Sequence, residues 1–254
     1  MNEELSEKGY DANYGKYCDH TVLRAYTTSD KVIGFCREAK KYGAASVCVN
    51  PIHVALVKKN LEGTGIKTAA VIGFPLGANR PETKAFEARL AAEDGAEEVD
   101  MVINIGALRE KNDALVLSDI KGVVDAVKGR AAVKVIIETC YLSDEEKIRA
   151  CRLSEEAGAD FVKTSTGKID VAATPEAAVV MCQAIRDYYQ KTGRKVGFKA
   201  AGGVRTAEDA ALYYTIVEEI LGPEWLNTDM FRIGASSAAN NLLSAIEGRE
   251  IKYY

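Results

Sequence analysis

Residues 133–166 read VKVIIETCYLSDEEKIRACRLSEEAGADFVKTST. Two runs rich in β-branched residues, VKVIIET and FVKTST, enclose a segment of helical character. Ser143 and Glu146 have the spacing of a capping box, and Gly158 marks the end of the predicted helix. A strand, a helix and a second strand in this order predict a βαβ unit with parallel strands.

Similar apolar runs recur along the chain, with helical segments between them. They predict strands at residues 18–23, 45–50, 67–74, 97–104, 133–139, 161–166, 195–203 and 231–236. Eight strand–helix units in 254 residues predict an α/β fold of the (β/α)8 TIM-barrel type. A doubly wound open sheet is the alternative, but no predicted strand leads into a G-x-G-x-x-G helix start.

The composition is that of an ordinary globular protein. Of the 254 residues, 47% are hydrophobic and 28% are charged, and the net charge is −4 without a long block of one sign. This balance indicates no nucleic-acid partner and no membrane partner, and no segment approaches the ~20 apolar residues of a membrane helix. We expect one domain over residues 1–254, with residues 1–14 as a polar N-terminal extension that lacks a signal peptide's apolar segment.

The cysteines and histidines carry no metal-binding or disulfide pattern. The six cysteines are scattered without a CxxC motif, which in a chain of this size indicates reduced thiols and a cytoplasmic location. His20 and His53 do not have the spacing of metal ligands. The sequence therefore predicts neither a metal nor another cofactor, although an ion held by carboxylates alone is left open.

Four consecutive predicted strands, the fourth to the seventh, carry charges at matching positions. In VKVIIET, alternation places Val133, Val135 and Ile137 against the helices and Lys134 inside the barrel. The same pattern sends Asp100 inside from the preceding strand. For the next two strands alternation alone does not decide the face, and analogy places Lys163 and Lys199 in the same interior.

These interior charges have a structural and a functional explanation. A buried ion-pair network would fix strand register, but three lysines against one aspartate are not balanced. The functional explanation is an activated amine, because only about one free lysine in a few thousand is neutral at neutral pH. Repulsion from a second ammonium at ~6 Å disfavours a charged lysine by about 2–3 kcal/mol at an effective dielectric of ~20. Lys199 beside Lys163 is therefore expected to lower the pKa of one of the two lysines, and burial lowers it further. Such a lysine suggests Schiff-base chemistry.

Loops after the last three predicted strands have the character of a phosphate site. Barrel active sites lie at the carboxyl ends of the strands, and phosphate is commonly held after strands seven and eight. Glycines let backbone amides approach an anion, and helix N-termini favour negative charge. The residues with these properties are Gly167 and Lys168, Gly202 and Gly203, and Gly234, Ser236 and Ser237. One glycine pair is more often a tight turn, but the two loops together favour phosphate.

At these residues the sequence resembles the deoxyribose-phosphate aldolase family. The most specific pieces are EVDMVIN, VKVIIET, FVKTSTGK with ATPE following, KAAGGVRT and FRIGASS, and the resemblance covers nearly the whole chain. It implies a class I aldolase, free of metal, that reversibly cleaves 2-deoxy-D-ribose 5-phosphate to acetaldehyde and D-glyceraldehyde 3-phosphate. The partner it implies is this small phosphosugar; the family often forms homodimers, although the sequence identifies no interface.

The resemblance also implies functions for individual residues. Lys163 matches the Schiff-base lysine, Lys199 its pKa-lowering partner, and Asp100 an acid/base that acts through water. Residues that match the lining of the substrate site are Asp19, Thr21, Cys48 and Lys134. The phosphate residues of the family match the seven loop residues named above.

Two departures and two alternatives accompany this resemblance. Ala200 stands where the family commonly has proline or serine, and Tyr254 is a weak match to a terminal tyrosine that helps to shuttle protons in some members. Another Schiff-base sugar-phosphate aldolase or a transaldolase-like enzyme would share the activated lysine and the phosphate site. A catalytically silent barrel that binds a phosphosugar for regulation is a hypothesis of a different class, and it would show no turnover.

Overall fold

The computed structural model describes residues 14–204 and 206–235. Eight parallel strands form a closed barrel in sequence order, in which the first strand pairs with both the second and the eighth. They are β1 Cys18–Val22, β2 Ser46–Val49, β3 Lys67–Ile72, β4 Glu98–Val102, β5 Ala132–Ile136, β6 Phe161–Lys163, β7 Gly197–Ala201 and β8 Phe231–Ala235. The eight predicted strands and the (β/α)8 class are confirmed, and closure excludes the doubly wound open sheet.

Helices connect successive strands. They are α1 Ser29–Tyr42, α2 Val54–Leu61, α3 Pro81–Glu93, α4 Ile105–Arg109, α5 Asp113–Val127, α6 Asp144–Glu156, α7 Pro175–Thr192 and α8 Ala207–Leu221. Within the described ranges, no helix combines the length and the apolar character that crossing a membrane requires. The predictions for Ser236, Ser237 and Tyr254, and for residues 1–13 of the N-terminal extension, lie outside the described residues.

The helix ends follow the punctuation that the sequence predicts. Ser143 caps α6 in a complete capping box, with the Glu146 amide on its side chain and the Glu146 carboxylate on its own amide. The helix ends at Glu156, two residues before Gly158. The Thr174 side chain accepts a hydrogen bond from the Ala177 amide and so caps α7. Local capping thus fixes where the chain turns back towards the next strand.

Alternation along the strands separates two buried layers. Val133, Val135 and Ile137 pack in the main apolar core together with residues of the surrounding helices. Phe198 and Ala200 belong to the same core, so Lys199 between them faces the barrel interior. This arrangement confirms the inward placement that analogy alone gave to the seventh strand.

Candidate active site

The four charged residues predicted for the interior meet around Asp100. Its Oδ2 lies 2.7 Å from the Nζ atoms of both Lys163 and Lys199, and its Oδ1 lies 3.4 Å from the Nζ of Lys134. Register explains the convergence, because Asp100 pairs with Lys134 and Lys163 pairs with Lys199 on neighbouring strands. The Lys163 side chain keeps 5% exposure while the other three are fully enclosed, so Lys163 is the one with access to the barrel mouth.

The interior holds three more charged residues, of which sequence reasoning had named only Asp19. Arg232 donates from Nη1 to Asp19 at 2.6 Å and from Nη2 to Glu98 at 2.6 Å. Glu98 also pairs with Lys134, and Asp19 contacts the Nζ of Lys199. The predicted imbalance of three lysines against one aspartate is therefore wrong. In the described interior, four cations face three carboxylates, namely Lys134, Lys163, Lys199 and Arg232 against Asp19, Glu98 and Asp100.

The missed residues were signalled by the same alternation that located the others. Glu98 lies two residues before Asp100, and Arg232 lies two residues before Gly234, so both point inward from their strands. Glu98 forms ion pairs with both Arg232 and Lys134, and these three residues have the character of a structural ion-pair network. The barrel interior thus holds both a structural ion-pair network and a set of potentially reactive charges. Asp100 connects the two, because it contacts Lys134 of the first and Lys163 of the second.

The glycine loops predicted for phosphate lie side by side. Gly167, Gly202 and Gly203 have φ values of 70°, 75° and 83°, which favour glycine. A Cβ added to Gly202 would lie 3.1 Å from the Gly167 Cα and 2.7 Å from the Ala172 Cβ, so the two loops touch. Lys168 is exposed, and its Nζ donates to the Leu23 carbonyl at 3.0 Å. The structure therefore brings these four predicted residues together at the carboxyl ends of β6 and β7.

Gly234 lies within β8, beside the charged cluster. A Cβ at this position would lie 2.8 Å from the Ala201 Cβ and 3.3 Å from the Lys199 Cε. A side chain here would therefore press on Lys199, which gives this glycine a steric purpose. Its predicted partners in phosphate binding, Ser236 and Ser237, lie beyond the described residues, and that part of the prediction stays a prediction.

Two other predicted site residues are neighbours on adjacent strands, since Thr21 of β1 pairs with Cys48 of β2. Cys48 on β2 is fully buried with Ala69 and Val71, and burial raises the pKa of its thiol to about 11, with Asp100 adding to the effect. Thr21 on β1 is partly exposed and donates its hydroxyl proton to the Asp19 carbonyl at 2.8 Å. Cys48 thus has apolar neighbours, whereas Thr21 lies beside the charged Asp19 on β1.

Comparison with known proteins places this arrangement in a family. A model described as DeoC/LacD family aldolase matches residues 15–220. The chain belongs to this aldolase family. It is 54% identical over 198 residues to a deoxyribose-phosphate aldolase of Geobacillus sp. strain WCH70, covering 78% of this chain and 86% of the relative. A deoxyribose-phosphate aldolase of Bacillus subtilis strain 168 is 56% identical over 191 residues, 75% of this chain and 82% of the relative.

A solved structure from the same family agrees in fold. The deoxyribose phosphate aldolase of Aeropyrum pernix, whose tetrameric structure is described as unique, has 30% sequence identity and a TM-score of 0.77. The match covers 96% of this chain and 95% of that one. The similarity therefore extends over the whole barrel and not over a shared motif alone.

In this member of the aldolase family, the two lysines that contact Asp100 have pKa values shifted in opposite directions. Burial lowers the pKa of Lys163 below its usual value; Asp100 opposes this, and the Lys199 ammonium lowers it further. Burial also acts to lower the pKa of Lys199, but the carboxylates of Asp100 and Asp19 outweigh it and leave that pKa raised. Lys163 is therefore the better source of a neutral amine, and Lys199 stays a cation.

The carboxylate between the lysines is held in its ionised form. Burial acts to raise the pKa of Asp100, but Lys163, Lys199 and Lys134 together hold it well below the usual range. Within residues 14–204 and 206–235, no group of three or more His, Cys, Asp or Glu side chains is arranged to hold a metal ion. The groups that meet at Asp100 are its carboxylate, the Lys163 amine and the Lys199 ammonium.

Proposed function

We propose that this aldolase cleaves 2-deoxy-D-ribose 5-phosphate reversibly to D-glyceraldehyde 3-phosphate and acetaldehyde through a Schiff base on Lys163. One observation carries the proposal: an inward lysine with a lowered pKa contacts a buried carboxylate at 2.7 Å at the carboxyl end of β6. The curated relatives that share more than half of the aligned residues are named as deoxyribose-phosphate aldolases, which supports the substrate.

The chemistry follows from a neutral amine in a partly dry pocket. Lys163 attacks the aldehyde carbon of the open-chain sugar, and loss of water gives a protonated Schiff base. A base takes the proton of the hydroxyl on the third carbon. The bond between the second and third carbons then breaks, its electron pair enters the iminium to form an enamine, and the third carbon leaves as the aldehyde of D-glyceraldehyde 3-phosphate. Protonation of the enamine and hydrolysis release acetaldehyde and restore the amine.

The other charged residues support these proton transfers. Asp100 acts as the acid/base because its carboxylate contacts both lysines and remains ionised. Lys199 lowers the pKa of Lys163 and passes protons through Asp100. Asp19 and Lys134 act through their contacts with Lys199 and Asp100, whereas Thr21 and Cys48 line the space for the small aldehyde.

The phosphate of the substrate is assigned to the glycine loops. The adjacent turns at Gly167 and Gly202 support this assignment, together with the exposed cation of Lys168. Gly203 extends the second turn, and Gly234, Ser236 and Ser237 belong to the same proposed site. A phosphate held here would lie at the carboxyl end of β6, which also carries Lys163.

The wider setting of the protein is also a proposal. We infer that the chain forms a single catalytic domain. We also infer a cytoplasmic location, because its six cysteines are all free and reducing compartments preserve thiols. Its partner is a small phosphosugar, without nucleic acid or membrane. A homodimer is the expected assembly, whereas the A. pernix relative is tetrameric, and the particle mass in solution distinguishes the two.

The test of the function is the release of acetaldehyde from 2-deoxyribose 5-phosphate in the presence of EDTA. Because the proposed chemistry uses an amine and no metal, turnover should be unchanged by the chelator. A chain that binds the phosphosugar without turning it over would be the silent barrel. Loss of turnover in EDTA, with recovery on adding a divalent metal, would contradict the Schiff-base assignment.

Lys199→Leu should shift the pH dependence of Schiff-base formation upward. The substitution removes a cation that lowers the pKa of Lys163 and leaves Asp100, which raises it, in place. At pH ~7 the neutral fraction of Lys163, and with it the rate of borohydride trapping, should fall about ten- to a hundredfold and recover as the pH rises. Lys84→Met, at a fully buried lysine outside the barrel interior, is the matched control. Parallel pH profiles for wild type and Lys199→Leu would refute the prediction.

Gly203→Val should weaken binding of the phosphate and spare the aldol chemistry. Valine is strained at the φ of 83° found here, so the turn and its amides must move. We expect KM for 2-deoxyribose 5-phosphate to rise about tenfold and KM for unphosphorylated deoxyribose to change little. Gly129→Val controls for strain, since Gly129 has a φ of 74° and open space around it, before β5. Equal losses on both substrates would refute the phosphate assignment.

A further inference from the structure

Glu138 is a buried carboxylate that does not belong to the charged cluster around Asp100. It follows β5, keeps 2% exposure, and has a φ of 45° and a ψ of 70°, in the left-handed region. Among residues 14–204 and 206–235, Lys111 is the only other non-glycine residue with positive φ. Such a backbone is strained and persists where its surroundings enforce it. The contacts of the Glu138 carboxylate are therefore expected to hold this backbone conformation.

Both oxygens of Glu138 bind one residue in the loop after β6. Oε1 accepts a hydrogen bond from the Thr166 amide at 3.1 Å, and Oε2 accepts one from the Thr166 hydroxyl at 2.5 Å. The Thr166 hydroxyl oxygen in turn accepts from the Lys168 amide at 3.1 Å, across the turn at Gly167. Hydrogen bonds to a charged acceptor are the stronger kind, so this connection fixes residues 166–168 firmly to the end of β5.

The segment fixed in this way contacts two other parts of the carboxyl face. Gly167 lies so close to Gly202 that a Cβ on the latter would come within 3.1 Å of its Cα. The Nζ of Lys168 reaches the Leu23 carbonyl, just after β1, at 3.0 Å. Glu138 is thereby connected, through Thr166, to the loops that follow β1, β6 and β7.

We propose that Glu138 is a positioning residue that holds residues 166–168 in the conformation that binds the substrate phosphate. The inference rests on the proposed function, which places the phosphate at this loop. Glu138 itself touches neither the reacting atoms nor the phosphate. Its carboxylate orients Thr166, and Thr166 holds the turn from which the Gly167 amide and the Lys168 side chain would face the anion.

Two nearly isosteric substitutions test the connection from its two ends. Glu138→Gln removes the charge and Thr166→Val removes the hydroxyl, and each should raise KM for 2-deoxyribose 5-phosphate about tenfold while kcat changes less than about threefold. KM for unphosphorylated deoxyribose should stay near the wild-type value. The double variant should be no worse than the worse single variant, because both remove the same link. Thr166→Ser should restore binding.

Hydrogen exchange in the substrate-free protein supplies a readout independent of turnover. The amides of Thr166 and Lys168 should exchange slowly in the wild type and faster in both variants. The control Thr192→Val removes a hydroxyl that donates to the Tyr188 carbonyl in α7, and it should change neither this exchange nor KM. Unchanged exchange and KM in Thr166→Val, or additive losses in the double variant, would overturn the inference even if Glu138→Gln fails to fold. A wild type that binds the phosphosugar without cleaving it would overturn the proposed function alone.

Discussion

Lys163→Leu is expected to abolish cleavage of 2-deoxyribose 5-phosphate together with the covalent adduct that borohydride traps in the presence of substrate. The amine of Lys163 is the proposed nucleophile, because no other amine in the described interior combines a lowered pKa with access to the barrel mouth. Mass spectrometry of the reduced wild type should find the adduct on the peptide that contains Lys163. Steady-state turnover and the adduct should disappear together in the variant.

The variant should remain folded, which makes the loss interpretable. Asp100 keeps Lys199 at 2.7 Å, so its charge stays paired. The pKa of Lys163 in the folded chain lies below its unfolded value, so holding its proton opposes folding. That cost is present below the folded pKa and vanishes above the unfolded pKa. Thermal unfolding at neutral pH should therefore occur at the wild-type temperature or higher. An adduct on Lys199 or Lys134 would reverse the assigned functions.

The sequence predicted the fold because its local signals agree with one another. Capping residues, glycines and β-branched runs mark each unit, and each predicted strand is present within a few residues of its predicted ends. The largest errors concern β5, which was expected to reach residue 139 but ends at Ile136, and β6, which was expected to reach residue 166 but ends at Lys163. After this point Thr164 and Thr166 make side-chain hydrogen bonds to Ala201 and Glu138, contacts that a strand pattern does not encode.

The sequence was sufficient to predict residues of the candidate site, but not which of these residues form ion pairs with one another. Alternation tells which face a residue occupies, and it correctly placed Asp100 and Lys134 inside, whereas analogy with their strands placed Lys163 and Lys199 there. It does not tell which residues meet across the barrel, where Asp19 of β1 reaches Lys199 of β7 and Arg232 reaches Glu98. The predicted charge imbalance failed because it left out Glu98, which alternation on β4 does indicate, and Asp19 of β1, which closure of the barrel brings beside Lys199.

The Asp100→Asn variant should separate formation of the Schiff base from turnover. A positioned acid/base contributes about 10²- to 10⁴-fold, so kcat should fall on that scale. Asp100 is also the group that raises the pKa of Lys163, so its neutralisation lowers that pKa further. The neutral amine should then persist to lower pH, and borohydride should still trap the adduct.

Stability makes the same variant a test of the structural explanation for the charges. Removing one member of a buried ion pair costs about 3–5 kcal/mol where the remaining charge stays buried. Here Lys199 keeps the contact with Asp19, and Lys163 can lose its proton, so we expect a smaller loss. Asp119→Asn is the matched control, because Asp119 is buried and lies 2.6 Å from Lys84 outside the barrel interior. It should lower the unfolding temperature and leave kcat near wild type. If Asp100→Asn behaved like this control, the carboxylate would be structural; if it lost trapping and turnover equally, proton transfer would not be its function.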